Sequence, residues 1–159
     1  MTTKNTDLVA NFEASPQVAN NAAELAGVLR TAHGTVELAA GDSTDNDIVM
    51  LAPIPSNASI PQLFVGSDTF GGSCAFNVGL YKTDGTVKDE DVFATAVLDA
   101  GAMTDVRFEV ADLNTGSQKL WELAGDSTDP GGYFYVAITF NATGGTGGSL
   151  NWNINYIVD

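Results

Sequence analysis

The residues best equipped for chemistry in this sequence are carboxylates. The pentapeptide Gly-Asp-Ser-Thr-Asp occurs twice, at 41–45 and at 125–129. The first copy continues Asn46-Asp47, which sets Asp42, Asp45 and Asp47 close together. Calcium takes about six to eight oxygen ligands from acidic loops, so Asp42, Asp45, Asp47, Asp126 and Asp129 are the candidate cation ligands. Neither copy has the full spacing of a calcium loop, and neither ends in a well-placed bidentate Glu. The same residues make Asx turns, in which Asp and Ser side chains bond nearby backbone amides. That second reading is adopted, and no metal or cofactor is expected. The flanking sequences differ, so the two copies are not an internal repeat.

Other constellations are thinner. Asp89-Glu90-Asp91 could pair carboxylates for glycoside hydrolysis. Acidic neighbours are common in so acidic a chain, and the run reads as a solvated loop before a strand at Val92. His33 is the single histidine and Cys74 the single cysteine. A triad therefore has little material, and no Gly-x-Ser-x-Gly elbow, His-Glu-x-x-His, Walker loop or dinucleotide fingerprint is present. Cys74 has no basic neighbour to activate it and reads as a small buried hydrophobe. His33 reads as a strand-edge or interface residue. Asn57-Ala58-Ser59 and Asn141-Ala142-Thr143 match glycosylation acceptors, incidental without a secretion signal. No enzyme is expected.

The elements that would position these residues are strands. Two-residue alternation sets Cys74, Phe76, Val78 and Leu80 on one inward face. It does the same for Phe134, Val136, Ile138 and Phe140, and for Leu150, Trp152, Ile154, Tyr156 and Val158. Val106, Phe108 and Val110 form a further set, with Asp105, Arg107 and Glu109 opposite. Thr35–Ala40, Ile60–Val65 and Val92–Leu98 are weaker strands, and Asp47–Ala52 is apolar enough on both faces to be fully buried. Turn signals separate them at 41–43, 53–57, 84–85, 99–101 and 144–148. Asp84-Gly85 reads as a hairpin turn, and the glycine run at 144–148 as a flexible tip. One short helix is expected near Leu120, capped by Ser117 and stopped by Gly125.

This pattern predicts an all-β chain: a jelly-roll-type, two-sheet antiparallel β-sandwich of about eight strands with one short helix. An immunoglobulin-like sandwich is the alternative. Residues 25–159 form one domain, entered by a first strand near Leu25–Thr31. Residues 1–24 read as an extended N-terminal arm that gains order by packing on its own chain or a neighbour. A helix over Val18–Leu29 is opposed by Gly27 and the paired asparagines. Leu8, Val9, Phe12 and Val18 are the arm's candidate partner-binding residues. Tyr133 and Tyr135, opposite the inward face of their strand, are the candidates on the body. Trp152 and Tyr156 read as core.

Composition excludes several function classes. The chain has 159 residues, 20 acidic and 6 basic, for a formal charge of −14. Lys4, Arg30, Lys82, Lys88, Arg107 and Lys119 are scattered, whereas phosphate contacts need clustered cations. No nucleic acid and no membrane is expected as a partner; an anionic lipid surface repels such a chain. The longest apolar run, Ile48–Ile54, contains Pro53 and falls far short of the roughly 20 residues that span a bilayer. The start of the chain lacks an apolar signal core.

Three stretches also resemble a known group: His33-Gly34-Thr35-Val36-Glu37-Leu38-Ala39, Asn46-Asp47-Ile48-Val49-Met50-Leu51 and Pro53-Ile54-Pro55. The likeness continues in Asn77–Tyr81, Gly85–Asp89, Asp91–Thr95, Trp121-Glu122 and Gly125–Tyr133. Together these are similar to small virion structural proteins of tailed bacteriophages. The resemblance implies a capsid decoration, or cement, protein on the exterior of the virion, made in the host bacterial cytoplasm. Its implied partners are the major capsid protein and sister copies, as a homotrimer. The alternative is a glycan- or receptor-binding module of a head fibre or tail.

Overall fold

The computed structural model describes residues 5–20, 25, 27–71, 73–98 and 101–158. Its strands are β1 (Leu29–Leu38), β2 (Ile48–Pro55), β3 (Ala58–Ser67), β4 (Ala75–Lys82), β5 (Val87–Leu98), β6 (Thr104–Asp105), β7 (Tyr133–Ala142) and β8 (Gly148–Val158). Two helices, α1 (Asp7–Glu13) and α2 (Leu120–Leu123), and a 3₁₀ turn at Leu113–Thr115 complete it.

The strands pair antiparallel in a nested series: β4 with β5, β3 with β6, β2 with β7, and β1 with β8. That is one long hairpin of strand pairs whose tip is the Asp84-Gly85 turn. Wrapping the hairpin sets β8 beside β3 and β7 beside β4. Two four-stranded sheets result, ordered β1-β8-β3-β6 and β2-β7-β4-β5. This is the jelly roll. The immunoglobulin-like alternative falls, because β1 and β2 lie in different sheets.

The core is the expected one. Phe76, Val78 and Leu80 of β4, Phe134, Val136, Ile138 and Phe140 of β7, and Leu150 and Ile154 of β8 are all buried, as is Cys74. Phe70 and Phe76 meet Phe140 edge-to-face, with ring centroids 5.8 and 6.0 Å apart, a favoured aromatic geometry. Trp152 and Tyr156 pack against this core while half-exposed. The hairpin turn closes as expected. Gly85 takes φ +85°, Lys82 N–H donates to the Thr86 carbonyl, and Asp84 accepts the Thr86 N–H at 2.8 Å.

Several expectations need correction. The predicted strands at 25–31 and 35–40 are one strand, β1. β2 is not fully buried: Ile48 and Met50 are exposed, and the strand continues through Pro53 to Pro55. It is a sheet edge, where proline costs no ladder bond, and a bulge at Leu51 reverses its inward face. Asp89-Glu90-Asp91 are not in a loop but inside β5. β5 passes so close to β4 that a Cβ on Gly79 would lie 2.1 Å from the Asp89 carbonyl oxygen. The glycine run at 144–148 is no free tip: the Gly145 and Thr146 N–H groups both donate to the Phe70 carbonyl at 2.7 Å.

The short helix forms, but Ser117 does not cap it. Lys119 is the N-cap residue, and its N–H donates to the Glu122 carboxylate at 2.7 Å. Gly125, at φ +74°, ends it. The strand expected over 105–110 stops at Asp105, and Val110 is exposed. The arm is not extended throughout, since Asp7–Glu13 are helical. Asp7 sits in the first turn, where a carboxylate complements the helix dipole. The arm then returns on itself, with Asn20 donating to the Leu8 carbonyl and accepting from Asn11. No helix forms over 18–29 among the described residues. Residues 21–24 and most of the turn expected at 99–101 lie outside them.

Candidate functional site

The repeated Asp-Ser-Thr-Asp segments spend their side chains on turns. Asp42 accepts the Ala39 N–H at 2.9 Å and Asp47 the Thr44 N–H at 2.8 Å. The Asp45 N–H donates to the Thr143 hydroxyl. Asp129 accepts from the Ser56 hydroxyl at 2.6 Å and from the Gly131 N–H at 2.9 Å. These two bonds hold its carboxyl below the usual carboxylate range. Asp126 pairs with Lys88 at 2.6 Å. Among the described residues, no three His, Cys, Asp or Glu side chains gather as a metal-binding group. Asp42 and Asp47 thus brace the first turn, Asp129 the second, and Asp126 is in an ion pair, while Asp45 contributes its backbone N–H.

The single histidine and single cysteine do not meet. His33 is exposed on the edge strand β1, while Cys74 is buried just ahead of β4, a strand of the other sheet. Burial, with the neighbouring Asp91 adding to it, raises the pKa of Asp89.

The arm presents apolar surface. Val9 and Phe12 on α1, and Val18 beyond it, are exposed. Leu8 turns the other way and shares a cleft with Ser59, Pro61, Phe108 and Ile157 of the body. Leu8 is half-buried, whereas Val9, Phe12 and Val18 are exposed. Tyr133, 56% exposed, stands at a cleft of about 270 Å³ with Lys82, Asp84, Lys88, Asp126 and Pro130. Tyr135, half-buried, faces Pro53 across the β2–β7 pair and does not line that cleft.

Sequence reading misses Arg107. Alternation sets it outward with Asp105 and Glu109, yet it is fully buried. The chain turns after β6, with the Glu109 N–H reaching the Val106 carbonyl, and this rotates Arg107 inward. Its Nε donates to the Ile60 carbonyl at 2.6 Å and one Nη to the Thr115 carbonyl at 2.9 Å. The guanidinium lies over Phe108 and Phe93, 4.6 and 5.2 Å from the ring centroids. Burial pushes its pKa down to about 10, against the pull of Asp105. The group stays charged at neutral pH, and it clamps β3 to the 106–116 loop.

No family model matches the chain, and no curated protein matches it. Two solved structures share its fold. A chain of the cyanophage Pam1 capsid asymmetric unit is 14% identical over 100% of both chains, with a TM-score of 0.51. A chain of the capsid of Ralstonia phage GP4 is 14% identical over 84% of this chain and 86% of that one, with a TM-score of 0.50.

Proposed function

We propose that this chain is a structural protein of a phage virion. Within that role, it is a decoration (cement) protein that binds the major capsid protein on the outside of the head shell. The carrying observation is the end-to-end correspondence with a chain of a phage capsid asymmetric unit, one jelly roll of the same extent. The surface chemistry supports the same reading. A net charge of −14 suits a protein held away from packaged nucleic acid. Exposed Val9, Phe12 and Val18 give the arm an apolar face for a neighbouring subunit. Three copies around a local threefold, as a homotrimer, make a closed arrangement, and several arms acting together raise affinity without new chemistry. Such a protein is made in the host bacterial cytoplasm and joins the particle there.

Mass spectrometry of purified virions tests the reading. This chain is expected in stoichiometric amount in the particle, released with the shell. Its absence from purified particles overturns it.

One observation favours a second reading, a glycan- or receptor-binding module of a fibre or tail. Tyr133 stands exposed beside the Lys82, Asp84, Lys88 and Asp126 cleft, and an aromatic face among polar groups can hold a sugar ring. A glycan array with the assembled protein separates the two: specific glycan capture favours the second reading, and uniform absence of binding removes it.

A further inference from the structure

The outward face of the β1-β8-β3-β6 sheet is built from fixed amides. Register sets three rows across β1, β8 and β3. The first holds Thr31, Asn155 and Gln62, the second His33, Asn153 and Phe64, the third Thr35, Asn151 and Gly66. β8 thus turns three successive asparagines outward, although asparagine is depleted in strands. The Thr31 hydroxyl donates to Asn155 Oδ1 at 2.8 Å, and Asn155 Nδ2 donates to Gln62 Oε1 at 2.9 Å. The Thr35 hydroxyl donates to Asn151 Oδ1 at 2.6 Å. The amide oxygens are spent inside the rows, so the amino groups of Asn151 and Gln62 have no partner among the described residues. Phe64 is half-buried in the middle row. Beside Asn151 the face dips into a cleft of about 90 Å³ with Gly66, Asp68 and Met103. On β1, β8 and β3 these rows hold no carboxylate, lysine or arginine. Acids stand at the rim: Glu37 and Asp68 bonded to Ser149, and Asp105 opposite Phe64.

We propose that this face binds an uncharged glycan. A sugar hydroxyl accepts from an amide N–H and donates to a hydroxyl or carboxylate oxygen, and both kinds of group stand here. Phe64 offers an aromatic surface to the C–H face of a sugar ring. An amide already held in one orientation loses little freedom when a ligand binds. Charge narrows the class: the acidic rim and the net charge of −14 repel glycans that carry carboxylates. Phe64 is the single large apolar side chain of the three rows, too little for the buried centre of a protein interface. The face is separate from the Tyr133 cleft, which lies on the other sheet. Glycan binding here is compatible with a place on the head or on a fibre.

Native electrophoresis of the full chain tests it, in gels containing dextran, amylose, mannan or galactan, each against a gel without polymer. At least one of these neutral polymers should retard the wild type, and polygalacturonate should not. Asn151→Asp and Gln62→Glu keep the oxygens that accept within the rows and remove the unpaired amino groups. The double variant should therefore fold, as circular dichroism checks, and bind about tenfold more weakly. Tyr133→Ala should bind as the wild type does. Five results overturn the proposal. They are no retardation by any neutral polymer, retardation by polygalacturonate as strong as by the neutral ones, a folded double variant that binds like the wild type, loss of binding in Tyr133→Ala, which places the sugar in the other cleft, or a double variant that keeps glycan binding and loses binding to undecorated shells, which assigns the face to a capsid subunit.

Discussion

The Nε of Arg107 donates to the carbonyl oxygen of Ile60 at 2.6 Å, inside the protein. Ile60 precedes Pro61 in β3, where the register against β8 shifts between Ser59 and Gln62. The bulge leaves backbone for a side chain to satisfy, and Arg107 supplies the donor. Its second bond, to the Thr115 carbonyl, ties in the loop that leads to α2. Arg107→Ala should therefore leave a buried carbonyl and a partly buried one unpaired and a cavity between Phe93 and Phe108, costing about 3 kcal/mol. Arg107→Met, which keeps the packing, should cost less. Urea unfolding with both variants measures this, and an unchanged midpoint for Arg107→Ala contradicts it.

Two glycines should respond differently to a methyl group. At Gly79 a Cβ meets the β5 backbone, the Asp89 carbonyl oxygen at 2.1 Å. At Gly34 it meets the Trp152 ring at 2.8 Å, and a ring can tilt. Gly79→Ala should cost about 3 kcal/mol or fail to fold, and Gly34→Ala about 1 kcal/mol. Equal melting temperatures for the two variants would contradict the close approach of β5 to β4.

Acid should destabilise the fold through particular turns. Asp68, Asp84 and Asp129 are each held below their ordinary value of 3.8 by bonds from Ser149, Thr86 and Ser56 respectively, with the Gly131 N–H also on Asp129. A lowered folded-state pKa contributes stability that is complete above 3.8 and is lost as pH falls through the folded value. Asp129→Asn and Asp68→Asn should reduce stability at neutral pH and flatten its fall below about pH 4. Asp89 has the opposite sign. Its raised pKa means that ionisation costs stability as pH rises, so Asp89→Asn should be neutral or stabilising at neutral pH. Unfolding curves across the acid range check both signs.

Calcium should leave the melting temperature unchanged. Asp42, Asp47 and Asp129 already accept backbone or hydroxyl donors, and Asp126 holds Lys88. A cation that bound the native state alone would raise the melting temperature by mass action. Scanning calorimetry with millimolar calcium and with chelator decides it, and a clear rise would assign the turns a cation.

Removing residues 1–24 should leave the sandwich folded. The described arm bonds mainly to itself, and Leu8 lines a cleft with Ser59, Pro61, Phe108 and Ile157 of the body. Shell binding, however, should weaken by about tenfold or more. Co-sedimentation of the truncated protein with undecorated shells measures this, and unchanged binding shows that the arm is not the anchor.

Much of this architecture is legible from residue order, because alternation reports burial directly. β4 and β7 carry apolar residues at a spacing of two, and those residues line the core. β8 does the same through Leu150 and Ile154, with Trp152, Tyr156 and Val158 packed against it. Pattern reading fails where the backbone departs from a regular pleat. Arg107 follows a strand that ends two residues earlier, so parity no longer gives its direction. β2 turns its face over at the Leu51 bulge, so a strand exposed on one side reads as apolar on both. Asp89–Asp91 reads as a loop when charge is treated as a mark of irregular chain, but an edge strand takes charge readily. Strand order is a property of long-range pairing, and no local spacing encodes it. The acidic turns are the converse case, since Asx-turn chemistry is local and needs only neighbouring amides.

A cryo-EM reconstruction of the virion tests most directly the place of this protein in a particle. Density is predicted on the outside of the head shell into which the sheets β1-β8-β3-β6 and β2-β7-β4-β5 fit, with α1 directed onto a neighbouring subunit. A head surface without such density, or the chain found in the tail alone, contradicts it.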